Sequence, residues 1–235
     1  MVFTDPPYNI AYKGGMGGDG TQHVRKIIAN DDMSAEEFAS FLDDVMHNLM
    51  QVTKGAFYVC MSSSELHTLR NAFVKAGGHW QTYIVWAKNH FTLSRTDYQQ
   101  QHEPILYGLS GEIEKCEDAD LMPIMYGWNE HSWYGGRKQG NVWHIDRPTQ
   151  SKEHPTMKPV VLCGKAIKNS SKAGEIVLDV FGGSGSTLIA AHQLGRRCYM
   201  IELDVDYVAV IIERWCQLSG IRTIKKNGED IEWVL

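Results

Sequence analysis

The sequence is short of the features that would place it outside ordinary globular enzymes. No apolar run approaches the roughly 18 residues that a membrane helix requires, so a membrane-spanning chain is not expected. The opening residues Met1-Val2-Phe3-Thr4-Asp5 lack the basic and apolar regions of a signal peptide. Cysteine is sparse and odd in number: Cys60, Cys116, Cys163, Cys198 and Cys216, with no C-x-x-C pair. That excludes a disulfide scaffold and gives no Cys or His cluster with metal-ligand spacing, so no metal is expected. Reduced thiols in a cytoplasmic protein are the expectation. A coat of basic charge is also missing, because 23 Lys and Arg stand against 28 Asp and Glu, for a net charge of −5. What is present is a globular composition, with 235 residues of which 43% are hydrophobic and 22% charged. Such a chain buries a full core without staples.

The charge is segregated. Residues 131–168 carry seven Lys and Arg against two acids, whereas residues 112–120 carry five acids and one lysine. A local basic stripe binds phosphates even on an acidic protein. The acidic run reads as a solvated face.

Periodicity predicts alternating strands and helices. Val2-Phe3-Thr4 reads as the end of a buried strand entering a Pro-Pro turn, and five glycines between 14 and 20 read as a mobile loop. Ser34-Ala35-Glu36-Glu37 is a capping box before a helix carrying Phe38, Phe41, Leu42, Val45, Met46 and Leu49 on one face. A strand follows at 56–61, and a second capping box, Ser62 to Glu65, is expected to open a helix that ends at Gly77-Gly78. Residues 80–87 form another strand. Residues 89–150, rich in aromatics, His, Gly and Gln, read as an inserted loop-and-strand region, separating a first catalytic segment, 1–88, from a second, 151–235. Alternation resumes with a helix over 160–170, strands at 175–180 and 197–202, a helix capped by Asp204, and a hairpin around Asn227-Gly228. The expected fold is α/β, a mostly parallel sheet covered on both faces.

Two motifs carry chemistry. Leu178-Asp179-Val180-Phe181-Gly182-Gly183-Ser184-Gly185-Ser186-Thr187 runs from strand through a glycine turn into a helix, and Glu202 ends the next strand. Glycines let a ligand approach the backbone, the helix N-terminus offers unpaired N–H groups, and an acid at that place accepts ribose hydroxyls. The turn lacks the Lys-Ser/Thr of a triphosphate loop and the G-x-G-x-x-G of a dinucleotide site. The other motif is Asp5-Pro6-Pro7-Tyr8-Asn9. The Asp5 carboxylate and the Pro6 carbonyl are placed to accept hydrogen bonds from an exocyclic amine, Pro7 fixes the turn, and Tyr8 offers a ring face to an extruded base.

Together these motifs resemble the S-adenosylmethionine-dependent DNA amino-methyltransferases that act on adenine N6 or cytosine N4. Asp5-Pro6-Pro7-Tyr8 matches the family's catalytic motif and Phe181-Gly182-Gly183-Ser184-Gly185 its cofactor motif. The catalytic motif comes first, the permuted order of the β class. His154-Pro155-Thr156-Met157-Lys158-Pro159 resembles the motif that precedes the glycine strand. The stretches around His102-Glu103-Pro104 and Trp133-Tyr134-Gly135-Gly136 look like a phage and bacterial subgroup often fused to an N-terminal ParB-like domain.

The resemblance implies a Rossmann-like methyltransferase fold, S-adenosyl-L-methionine as cofactor, and DNA with a flipped adenine as substrate. Cytosine N4 is the alternative base, and an inactive cofactor- and DNA-binding module the alternative role. Asp179, Phe181, Gly182, Gly183, Ser184, Gly185, Ser186, Thr187 and Glu202 would border the cofactor, with Thr156 and Lys158 on its other side. Asp5, Pro6, Pro7 and Tyr8 would hold the base. Target recognition would fall in 89–150, with Lys88, His90, Arg95, Arg137, Lys138 and Arg147 touching DNA. Relatives are often homodimers. The class usually carries a strand upstream of its catalytic motif, so the expectation is either a longer protein or a C-terminal hairpin that fills that place.

Overall fold

The computed structural model describes residues 1–11, 28–92, 97–111, 133–147 and 157–234. Seven strands form one sheet: β1 (Val2–Thr4), β2 (Ala56–Cys60), β3 (Gly78–Thr92), β4 (Gln100–Ser110), β5 (Val142–His144), β6 (Ile176–Asp179) and β7 (Arg197–Met200). Their order is β5-β3-β4-β2-β1-β6-β7. All run parallel except β4, which is antiparallel to both neighbours. The mostly parallel α/β sheet is therefore as expected.

Helices cover both faces, because the strands carry apolar side chains on both. Along β1, Val2 points into a core with Phe38, Leu42 and Met46 of α1 (Ala35–Val52) and Leu69 and Phe73 of α2 (Leu66–Lys75). Phe3, the next residue, points into the opposite core, with Leu162 and Ala166 of α3 (Val160–Ser170) and Ala190 of α4 (Ser186–Gln193). This alternation is the two-residue period of a strand buried on both sides. Phe57 of β2 is fully buried and stacks edge-on with Phe73; its truncation to Ala would cost about 3–5 kcal/mol. A fifth helix, α5 (Val205–Ser219), packs on α4, and its N-cap Asp204 accepts from the Asp206 amide.

Three local expectations come out differently. The Ser34–Glu37 capping box is present in full, but the one read at Ser62–Glu65 is not. There the Ser62 hydroxyl turns to Ser64, and α2 starts at Leu66 with no side-chain cap. The Asn227-Gly228 hairpin does form, as β8 (Thr223–Lys226) and β9 (Glu229–Glu232), but these two strands pair only with each other and add nothing to the main sheet. The insert read at 89–150 supplies β4 and β5 to the main sheet, with Ile105 and Trp143 in its core. The reason is pairing: β4 lies between β2 and β3, bonded to β2 through Ile105–Leu109 and to β3 along most of its length, a non-local contact invisible to local periodicity. The glycine-rich stretch 14–20 and the acidic run 112–120 lie outside the described residues.

The topology fixes where a ligand binds. β1 and β6 are parallel neighbours, β1 leading to α1 on one face and β6 to α4 on the other. Chains that leave a parallel sheet in opposite directions open a crevice at the carboxyl ends of the strands. Both motifs lie there, Asp5–Tyr8 directly after β1 and 180–185 directly after β6.

Candidate active site

The crevice is a cavity of about 570 Å³, a size typical of small-molecule sites. Asp5, Pro6, Pro7, Tyr8, Lys158, Phe181, Gly183 and Glu202 line it. A smaller space beside it is bordered by Asp179, Gly182, Ser184, Ser186 and Thr187. The two sequence motifs, about 175 positions apart, thus share one opening.

The glycine turn is shaped by its own backbone. Gly183 has φ +51° and Gly185 φ +80°, the left-handed region where side chains are disfavoured. Glu202 ties this turn to the next strand: one carboxylate oxygen accepts from Gly183 N at 2.6 Å, the other from Asp204 N at 2.9 Å. Asp179 is buried and accepts from the Thr4 hydroxyl at 2.8 Å and Phe181 N at 3.1 Å, joining β6 to β1. Burial pushes its carboxyl up to about 7, against the hydroxyls of Thr187 and Thr4, which favour the ionised form. Ser186 turns its hydroxyl inward onto the Lys158 carbonyl at 2.7 Å, and the Thr187 hydroxyl faces both the Asp179 carboxylate and the Cys163 sulfur. Gly185 packs on Ile211 and borders neither space.

The Asp5–Tyr8 turn is held from below by Asp31, a buried side chain whose carboxylate accepts from Tyr8 N at 3.0 Å. The catalytic side chains form a charge network. Lys158 Nζ lies 2.7 Å from Asp5 Oδ2, 2.7 Å from Glu103 Oε1 and 3.0 Å from the Tyr8 hydroxyl. That hydroxyl is 2.7 Å from Asp5 Oδ1 and 2.5 Å from Glu103 Oε1, and donates its single proton to one of them at a time. Lys88 Nζ closes the chain on Glu103 Oε2 at 2.9 Å. Two carboxylates and two ammonium groups thus balance in a site where an unpaired charge would be costly.

Each member is shifted by its surroundings. Burial raises the Asp5 carboxyl above the usual carboxylate range, Lys158 opposes this, and Glu103 adds to it. Burial also pushes Glu103 up, but Lys158 and Lys88 outweigh it and bring the carboxyl down to about 2. Burial disfavours the charged Lys158, yet Asp5 and Glu103 hold its ammonium well above the ordinary lysine range. The Tyr8 phenol is raised by burial and by both carboxylates, so it stays protonated.

Two assignments change. Tyr8 was read as a stacking ring alone, but its hydroxyl is a junction of the network. Lys88 was expected on DNA; its side chain is only 10% exposed, faces Glu103 and lies over the Trp86 ring. Trp143, inside the insert, is a core residue with its indole N–H on the Gly140 carbonyl. His90, Arg137 and Lys138 are exposed and Arg147 is half-exposed. Arg95 and Thr156 lie outside the described residues. Glu103 was overlooked as a site residue, although a lone acid entering the apolar run Pro104–Leu109 is a signal, because a charge at the mouth of a buried strand demands a partner.

A parallel sheet with a switch-point crevice, a glycine turn and an acid ending the next strand defines an enzyme class that binds a nucleoside-type cofactor on a Rossmann-like fold. The particular family follows from comparison: the family model described as DNA methylase matches residues 1–213, and the chain belongs to that family. It is 29% identical over 233 residues to the DNA adenine methyltransferase YhdJ of Escherichia coli K12, covering 91% of this chain and 75% of that protein. It is 27% identical over 224 residues to the type II methyltransferase M2.DpnII of Streptococcus pneumoniae, covering 91% of this chain and 81% of the relative. Among solved structures, the M1.HpyAVI–SAM complex superposes with a TM-score of 0.62 at 20% identity, over 91% of this chain and 87% of that one. The cytosine-N4-specific PvuII DNA methyltransferase superposes with a TM-score of 0.63 at 15% identity, over 91% and 78%. These two show a shared fold. None of the named relatives mentions a ParB-like domain, and that association is not carried further.

Proposed function

We propose that this chain transfers a methyl group from S-adenosyl-L-methionine to the N6 amine of an adenine flipped out of DNA. The observation that carries this reading is the convergence of the Asp5–Tyr8 turn and the Phe181–Gly185 turn on one cavity. The names of the adenine-specific relatives favour adenine over cytosine. When bound, S-adenosyl-L-methionine supplies an electrophilic methyl on a sulfonium. The cavity suits it: the Phe181 ring and the Gly183 backbone face the space, and each Glu202 oxygen keeps a lone pair for a ribose hydroxyl beyond its one backbone bond.

The chain's own residues do the rest. Asp5 and the Pro6 carbonyl accept the two amine N–H bonds, which draws the nitrogen toward tetrahedral geometry and localises its lone pair. The Asp5 carboxylate then stabilises the positive charge that grows on nitrogen. Pro7 and Asp31 hold the turn so that the amine meets the methyl at a fixed distance. Exposed His90, Arg137 and Lys138, with half-exposed Arg147, are the described candidates for contact with DNA phosphates and base edges, and target recognition falls within 89–150. Among the described residues no helix is long and apolar enough to cross a membrane, in keeping with work on DNA in the cytoplasm. A homodimer, the state the family resemblance implies, is tested by light scattering after gel filtration.

The test of the reaction is nucleoside mass spectrometry of duplex DNA treated with the protein and cofactor. N6-methyladenine is expected. Methyl on cytosine N4 would reassign the base, and no methylated nucleoside despite calorimetric cofactor binding would overturn the enzymatic reading.

A further inference from the structure

The charge network contains two members that neither border the main cavity nor belong to either motif, Glu103 and Lys88. Glu103 sits at the entrance of the buried part of β4, its side chain 13% exposed. One oxygen holds both the Lys158 ammonium and the Tyr8 hydroxyl, and the other is held by Lys88 from β3. Lys158 and Tyr8 in turn are the two side chains that grip Asp5, one on each carboxylate oxygen. A rigid chain therefore runs Lys88–Glu103–Lys158/Tyr8–Asp5, from the sheet interior to the wall of the cavity.

We propose that Glu103, braced by Lys88, is a positioning residue for methyl transfer: it pins Lys158 and Tyr8, and through them the aim of the Asp5 carboxylate at the substrate amine, while Lys88 offsets the negative charge that Glu103 adds beside Asp5. The inference rests on the proposed chemistry at Asp5. The physical need is clear. Asp5 sits where burial favours its neutral acid form, which accepts a hydrogen bond poorly and offers no negative charge to the developing cation. Lys158 corrects this, and pinning its flexible four-carbon stem fixes where the paired carboxylate points. Asp5 alone would share it loosely; a second carboxylate on the far side locks the ammonium between two acceptors. Glu103 brings a second negative charge with it, and Lys88 offsets that charge. The other ionisable groups around Asp5 are the buried thiols Cys60 on β2 and Cys163 on α3, both pushed far up by burial and so neutral, and Asp179 on β6.

The signs of two substitutions differ. Glu103→Gln removes a negative neighbour of Asp5 and leaves Lys158 to Asp5 alone, so the acid limb of kcat/KM moves to lower pH. Lys88→Met removes the charge that offsets Glu103, so the acid limb moves to higher pH. With Lys158 and Tyr8 no longer pinned, Glu103→Gln also lowers kcat by roughly tenfold or more, with cofactor affinity within about threefold of wild type, since Glu103 does not border the main cavity.

The experiment pairs pH–rate profiles with carboxyl 13C NMR titration of Asp5 in the wild type, Glu103→Gln and Lys88→Met. The titration needs no turnover, and Lys88→Met, which leaves Glu103 in place, is the second variant if Glu103→Gln fails to fold. Opposite displacements of the Asp5 midpoint, down for Glu103→Gln and up for Lys88→Met, are expected. A midpoint and kcat unmoved in folded variants would overturn the inference. Absence of methyl transfer in the wild type would instead overturn the proposed function, and the Asp5 titration would still decide whether the network acts as described.

Discussion

The two walls of the cavity are built in opposite ways. The glycine wall is local: β6, its turn, α4, β7 and Glu202 occupy residues 176–202, and its bond from Gly183 N to Glu202 spans only 19 positions. The charged wall is assembled from four distant places, Asp5 and Tyr8 after β1, Lys88 on β3, Glu103 on β4 and Lys158 before α3. The first wall is made of backbone and the second of side-chain charge. A binding surface needs shape and dipoles, which a short turn provides. A reacting centre needs balanced charges in a dry place, and several elements must each bring one.

This contrast predicts separable effects. The largest is at the charged wall: Asp5→Ala should lower methyl transfer by about a thousandfold or more while cofactor affinity stays within a few-fold, read by single-turnover assay and calorimetry. Next is the glycine wall: Gly183→Val places a β-branched side chain at φ +51° facing the cavity and should weaken cofactor binding by roughly tenfold or more, with a smaller change in kcat at saturating cofactor. If both variants lost binding and turnover alike, the division between the walls would be wrong. A third effect lies outside both: Arg137→Ala with Lys138→Ala should weaken DNA binding and reduce the slope of log affinity against log salt by about 2, leaving kcat at saturating DNA unchanged. The smallest is structural. Ser34→Ala removes the hydroxyl that accepts from Glu37 N and should cost about 1 kcal/mol in chemical denaturation, with no change in either wall.

A pH effect sharpens the same division. The Asp179 carboxyl is raised to about 7 by burial, against an ordinary value of 3.8. Its protonated form therefore favours the fold, a contribution complete below pH 3.8 and lost as pH rises through 7. Asp179→Asn keeps an acceptor for Thr4 and Phe181 N but cannot ionise, so its melting temperature should rise relative to wild type between pH 5 and pH 8. A constant difference across that range would show that Asp179 is ionised throughout.

Legibility in the sequence follows the same line. The glycine turn, Glu202, the Ser34 cap and the Asn227-Gly228 hairpin were readable because each is specified by a short, continuous stretch of sequence. The place of β4 was not, because its partners β2 and β3 are set by tertiary pairing. Glu103 and the inward turn of Lys88 were missed for the same reason: a charged side chain reads as surface until the strand around it is known to be buried. Lys158 was read as bordering the cofactor, and it does line the cavity, but its bonds to Asp5 and Glu103 depend on chain crossings that no local pattern records.

The most direct test of the two-wall account is calorimetric titration of S-adenosyl-L-methionine into Glu202→Ala and Asp5→Ala, alongside the wild type. The account predicts that Glu202→Ala weakens binding by roughly tenfold or more and that Asp5→Ala stays within about threefold of wild type. Wild-type affinity in Glu202→Ala, or loss of binding in Asp5→Ala, would contradict it.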